Sequence, residues 1–172
     1  DDDQAQLYGL PMNGGEPVRL LQVKEGISHY VWRPDGEAIA DTSVDAKPEV
    51  IVKREDLGIR PVIVDEDWRN ATLYVWDRAT EQSKRLTNGV NVNSFVWSPD
   101  GKLLAAAISP RALVDDSYMF QRLHLIDPEG SKVEKLVDNP GKLGAYAFSP
   151  DSTRLAYISA ADRRDPHAGM LF

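Results

Sequence analysis

No cysteine occurs in the 172 residues, which excludes disulfides, thiolate nucleophiles and zinc–thiolate sites and leaves cytoplasm and periplasm equally open. Histidine is scarce. The three present, His29, His124 and His167, show no i, i+4 pairing and fall at non-equivalent places, so they do not compose a metal site. Positive charge is in deficit, with 20 Lys and Arg against 27 Asp and Glu and a net charge of −7. No clustered basic surface is available to neutralise phosphates, so no nucleic-acid partner is expected. An apolar run approaching the ~20 residues of a membrane helix is also missing. So is a basic-then-apolar leader at Asp1. The expectation is a soluble chain with no membrane partner. Finally, no segment sustains apolar spacing of three and four over a helical length, so helix should be scarce.

What is present is an ordinary globular balance, 42% hydrophobic and 27% charged, long enough for one domain with a buried core. Within it one hairpin is written three times: "VWRPDGEAIADTS" (Val31 to Ser43), "WSPDGKLLAAAIS" (Trp97 to Ser109) and "AFSPDSTRLAYIS" (Ala147 to Ser159). In the turn, proline presets φ, aspartate can bond the backbone ahead of it, and glycine tolerates the positive φ that closes the reversal. Ser152 replaces that glycine in the third copy, which predicts a strained turn or one of another type. A second hairpin also recurs, as "LYGLPMNGGEPVRLL" (Leu7 to Leu21), "LYVWDRATEQSKRLT" (Leu73 to Thr87) and "LHLIDPEGSKVEKLV" (Leu123 to Val137).

Alternating the two hairpins gives units of four antiparallel strands recurring at roughly 40 to 50 residues, the signature of a β-propeller blade. The predicted fold class is therefore all-β, a β-propeller fragment of about three four-stranded blades with little helix. The expected division is an outer hairpin over 1–24, a blade over 25–89 with an insertion at 44–72, a blade over 90–138 and a partial blade over 139–172. Trp32, Trp97 and Phe148 take equivalent, buried positions in it. Known propellers close with about four to eight blades, so the chain reads as an excerpt of a larger ring. Unpaired strands at Leu7 to Leu10 and Met170 to Phe172 would then recruit other chains, and a homo-oligomer, first of all a two-fold one, is expected.

Strand parity puts the tight turns on one face and the long segments, Val44 to Thr72, Pro110 to Gln121 and Ala160 to Ala168, on the other. Long loops on a rigid scaffold are where binding usually resides. The largest carries two β-favouring runs, Glu49 to Lys53 and Pro61 to Val64, and is expected to form a protruding hairpin. Asp65, Glu66, Asp67 and Asn70 lack the ligand alternation and glycine of a calcium loop and read as solvated acids. Arg163 and Arg164 read as surface charge. No catalytic, cofactor-binding or metal residue is assigned, and no cofactor is expected.

These hairpins resemble the TolB-like propeller repeats, marked by Trp-Ser-Pro-Asp-Gly-Lys before a strand. Their pairing with "LPMNGGEPVRL" (Leu10 to Leu20) and "LYVWDRATEQSKRLTNG" (Leu73 to Gly89) is similar to the N-terminal propeller of prolyl oligopeptidase family serine peptidases, acylaminoacyl-peptidase and dipeptidyl-peptidase-like members included. That resemblance implies a non-catalytic portion of a peptidase, gating short peptides toward a hydrolase domain of the parent protein. In such parents the insertion can reach toward the hydrolase domain or a partner subunit. The chain departs from the pattern in lacking a G-x-S-x-G nucleophile elbow. Its nearest string, Gly26-Ile27-Ser28-His29-Tyr30, lacks the second glycine and leads into a strand, so Ser28 is not a nucleophile. Two alternatives stand beside this: a TolB-like scaffold for protein–protein interaction, and a propeller enzyme of another chemistry, such as a sugar lyase, which the scattered histidines disfavour.

Overall fold

The computed structural model describes residues 4–58, 68–129, 132–137, 139–162 and 170–171. The described strands form four antiparallel sheets in chain order. Sheet I pairs β1 (Leu7–Gly9) with β2 (Val18–Leu21). Sheet II runs β3 (His29–Trp32), β4 (Ala38–Val44), β5 (Ala71–Asp77) and β6 (Gln82–Arg85), with helix α1 (Glu49–Asp56) between β4 and β5. Sheet III runs β7 (Asn91–Trp97), β8 (Leu104–Ser109), β9 (Arg122–Asp127) and β10 (Lys132–Val137), with helix α2 (Val114–Met119) between β8 and β9. Sheet IV holds β11 (Leu143–Phe148), β12 (Leu155–Ser159) and β13 (Met170–Leu171).

The register repeats with the sequence. Trp32 faces Ile39, Trp97 faces Leu104 and Phe148 faces Leu155 across each first turn. In the outer hairpins Tyr8 pairs with Arg19 as Tyr74 pairs with Arg85, so β1 and β2 are the third and fourth strands of their sheet. The turns are one device in three copies. Gly36 N–H donates to Arg33 O at 2.9 Å, Gly101 N–H to Ser98 O at 2.8 Å and Ser152 N–H to Ser149 O at 2.9 Å. Ser152 adopts φ +60° where Gly36 and Gly101 have +75° and +71°. The third turn is thus of the same type, with a side chain in a left-handed backbone that favours glycine.

The second strands of sheets II and III, β4 and β8, are buried along almost their whole length because a neighbouring sheet covers each face, whereas β12 of sheet IV is largely open. All six residues of β8 are buried, and Ala105, Ala106 and Ala107 let both neighbours approach closely. The main core lies between sheets II and III, where Ala40, Leu73 and Leu86 meet Phe95, Trp97, Leu104 and Ile126. A smaller cluster joins Leu7 and Leu21 of sheet I to Ile39 and Trp76 of sheet II.

The equivalence of the three inner aromatics extends to position and not to burial. Trp97 is 7% exposed and donates Nε1–H to Val31 O at 3.3 Å, whereas Trp32 is 42% exposed and Phe148 half-buried. The cause is what lies opposite. Trp97 packs on the first strand of sheet II, but sheet I presents only outer strands to sheet II, which cover Ile39 and Trp76 and leave Trp32 open.

The expected hairpin in the first long loop is also corrected, since Glu49 to Lys53 lies in α1. Local charge decides instead. Glu49 stands in the first turn and Lys53 and Arg54 in the last, in the sense that suits the helix dipole. Lys47 binds Glu55 at 2.8 Å, and Lys53 pairs with Glu49 at 3.6 Å. Pro61 to Val64 lies outside the described residues.

Candidate functional site

On the long-loop face, hydrogen bonds tie the described parts of the first two connections to their surroundings. Asp45, just after β4, accepts from Thr72 Oγ1 at 2.7 Å and from Arg85 at 3.3 Å. Arg69 joins the Asp45 carbonyl at 3.2 Å to Glu25 at 3.3 Å. Asn70 Oδ1 accepts the Ala112 N–H at 3.1 Å, linking sheet II to the α2 loop. Arg111 grips buried Asp116 through two bonds of 2.7 and 3.2 Å, which hold that carboxyl below the usual range. The described parts of the first two long loops are therefore held down by their own polar side chains, while 59–67 and 163–168 lie outside the described residues.

The turn face offers more open space. A cleft of about 530 Å³ lies between the first turns of sheets II and III, lined by Arg33, Asp35, Asp100, Lys102, Asp127 and Glu129 among others. It adjoins one of about 540 Å³ lined by Arg33, Asp77, Thr80, Lys84 and Glu129 among others. Lys84 closes the wall between sheets by donating to Pro128 O at 2.7 Å and Glu129 O at 2.9 Å. Three acids around these clefts, Asp35, Asp77 and Asp100, have structural duties. Arg33 Nε binds Asp35 at 2.8 Å and lowers its pKa, backbone and hydroxyl donors of Thr80 lower that of Asp77, and the Ser98 hydroxyl lowers that of Asp100. In the third turn Ser149 holds Asp151 down to about 2. All four carry full charge at neutral pH, and none is poised as a general acid or base.

One carboxyl behaves differently. Asp41, in the middle of β4, is 1% exposed, and neither of its oxygens has a hydrogen-bond partner. Burial pushes it up to about 7. Its cross-strand neighbours are Tyr30 on β3 and Tyr74 on β5, on the face that looks toward sheet I. Sequence reasoning passed over it, although a carboxylate between Ala40 and Thr42 in an inward strand was a visible signal. The turn-face clefts were missed for another reason: their walls come from two sheets far apart in the chain.

The weaker sequence candidates disperse. Ser28 is exposed and donates its backbone N–H to Thr42 O at 2.8 Å. The His29 ring packs edge-on to Phe95 at 5.0 Å, and His124 Nδ1 lies 2.9 Å from Arg122 O. His167, Asp65, Glu66, Asp67, Arg163 and Arg164 lie outside the described residues. Among the described residues no group of three potential metal-binding side chains comes together, and no helix is long and apolar enough to cross a membrane.

These sheets place the chain in a class. Three solved structures share the arrangement: the TolB of Agrobacterium tumefaciens (TM-score 0.60, 19% identity, 95% of this chain and 48% of that one), an oligogalacturonate lyase in complex with manganese (0.60, 16%, 97% and 41%) and the tricorn protease (0.58, 17%, 84% and 12%). The class these likenesses define is one of fold: mostly β, four-stranded antiparallel sheets in a propeller-like arrangement. A particular relative comes from sequence, the peptidase YuxL of Bacillus subtilis (strain 168), 27% identical over 165 residues and 96% of this chain. The chain spans 20% of that relative's length. No family model matches the chain.

Proposed function

We propose that the chain is the non-catalytic propeller portion of a prolyl oligopeptidase-like serine peptidase, limiting access of peptides to a hydrolase domain of the same polypeptide. The observation that carries this is the 27% identity with a peptidase along 96% of the chain. The geometry supports a screening role over a chemical one. The sheets stack into a wall, the described parts of the first two long loops are tied down by hydrogen bonds, and Asp35, Asp77 and Asp100 of the turn face are spent on turn structure. Such a wall excludes bulky substrates by shape and admits short flexible ones.

The test is made on the full-length polypeptide that contains these residues. It should be labelled by a fluorophosphonate probe and cleave chromogenic peptides at rates that fall with peptide length. Absence of labelling in the full-length protein overturns the reading. A second reading, a TolB-like scaffold for another protein, is favoured by the likeness to TolB and by the two charged clefts on the turn face. It predicts an unlabelled full-length protein.

A further inference from the structure

An asparagine followed by glycine is chemically labile, because glycine has no side chain to hold its amide nitrogen away from the preceding carboxamide. Six asparagines occur, at 13, 70, 88, 91, 93 and 139. Four are tied down. Asn70 Oδ1 accepts the Ala112 N–H, Asn91 and Asn93 bond to one another and to Ser109 Oγ, and Asn139 donates to the carbonyls of Gln121 and Gly141. Asn13 and Asn88 are exposed, make no side-chain hydrogen bond among the described residues, and are the two that precede glycine.

Space is open at both steps, since no atom beyond the adjacent residues lies within 4 Å of where a Cβ would stand on Gly14 or Gly89. The nucleophiles differ. Gly14 N–H is engaged in its own turn, donating to Pro11 O at 3.3 Å, whereas Gly89 N–H has no acceptor among the described residues. The aspartate–glycine steps of the first turns are closed off altogether. Gly36 and Gly101 N–H donate to Arg33 O and Ser98 O at 2.9 and 2.8 Å. The carboxylates of Asp35 and Asp100, held by Arg33 and Ser98, are charged and therefore poor electrophiles.

We propose that Asn88 is a self-modifying site of the folded chain, converting through a cyclic imide to aspartate and isoaspartate ahead of every other asparagine. Gly89 N loses its proton to solvent base and attacks Asn88 Cγ. An N–Cγ bond forms, the Cγ–Nδ2 bond breaks, and Nδ2 takes up a proton and leaves as ammonia. Water then opens the ring at either carbonyl. Each product adds a negative charge to a chain at −7, and isoaspartate carries the main chain through its own Cβ, lengthening it by one atom. The change falls in the β6–β7 connection, between Thr87, whose hydroxyl accepts Leu73 N–H at 3.0 Å, and Asn91, whose carboxamide accepts Ala71 N–H at 2.8 Å. These two clamps fasten the start of β5 to the covalent joint between sheets II and III. The modification therefore strikes that joint, and its isoaspartyl product is a substrate for an enzyme that methylates isoaspartyl carboxylates. The ordering among the asparagines is set by the fold and is independent of the peptidase reading.

The test follows the native chain at mildly alkaline pH by tryptic peptide mapping. One peptide, 86–102, holds Asn88, Asn91, Asn93 and Asp100 together, and Asn13 lies in another. A mass gain of one unit localised to Asn88 is expected, accumulating several times faster than at Asn13, with an isoaspartyl methyltransferase placing labelled methyl on the same peptide. In urea the advantage of Asn88 over Asn13 should disappear, because the bond that occupies Gly14 N–H is lost. Asn88→Gln, on an exposed position, should abolish both the mass gain and the label in peptide 86–102 with an unchanged urea melt. Modification first at Asn13, Asn91 or Asn93 overturns the proposal. So does label that persists in the Asn88→Gln peptide, or a ratio of the Asn88 and Asn13 rates that urea leaves unaltered.

Discussion

Asp41 sets the clearest residue-scale expectation. Its ordinary pKa lies near 3.8 and burial raises it to about 7, so between those values the folded chain holds a proton that the unfolded chain releases. Stability is therefore full below about pH 4, falls as pH rises toward 7 and levels off above it. Asp41→Asn, which cannot charge, should remove that slope and be more stable than the parent at pH 8 by on the order of 1–3 kcal/mol. Urea denaturation across pH 4 to 8 checks this, and parallel curves for the two proteins would contradict it. The tryptophans give a second comparison. Trp97→Ala should lose ~3–5 kcal/mol and Trp32→Ala about half of that or less, measured at low protein concentration. Position was legible here from the repeated turn, whereas the burial of Trp32 depended on which strands of sheet I stand opposite. At Ser152 the sequence left a strained turn or another type open, and the turn keeps its type at φ +60°; the bond from Asp100 N–H to Ser152 Oγ at 3.0 Å, reaching across from sheet III, was not legible.

Elements divide by where their hydrogen bonds go. The hairpins were readable because turn chemistry and strand pairing lie within a few residues of each other, and the repeat wrote them more than once. Helix α1 was not. Its valines and isoleucine favour strand, whereas Glu49 in the first turn, Lys53 and Arg54 in the last and the Lys53–Glu49 pair favour helix, and the apolar run hid that charge pattern. No residue of α1 is buried, so Val50→Lys and Val52→Glu should each shift the melting temperature by no more than a degree or two, within the ±0.5 kcal/mol usual for surface changes. A large loss from either would point to a packed role for α1. The clefts of the turn face were hidden for another reason, since Arg33 and Glu129 meet there from different sheets.

At the scale of the whole molecule, propeller architecture was legible from the alternation of two hairpins, while the role of the chain was reached through resemblance and one sequence relative. The activity expectation follows from that division. The 172-residue chain alone should neither react with a fluorophosphonate probe nor hydrolyse acyl-amino-acid chromogenic substrates, and stoichiometric serine labelling would refute the scaffold assignment. A different consequence follows from the unequal cores. The larger cluster binds sheet II to sheet III, whereas sheet I has a three-residue strand and contributes only Leu7 and Leu21 to the buried residues of the small cluster. In a linear stack each sheet leans only on its neighbours, so opening is graded along the stack. Amide hydrogens of β4, β5, β8 and β9 should exchange only through global unfolding, those of β1 and β2 through cheap local fraying, with β11 and β12 between. Deuterium uptake by mass spectrometry would display that order as a gradient from the ends inward. Under mild denaturant the molecule would then shed its outer hairpins first, keeping sheets II and III as the last folded unit.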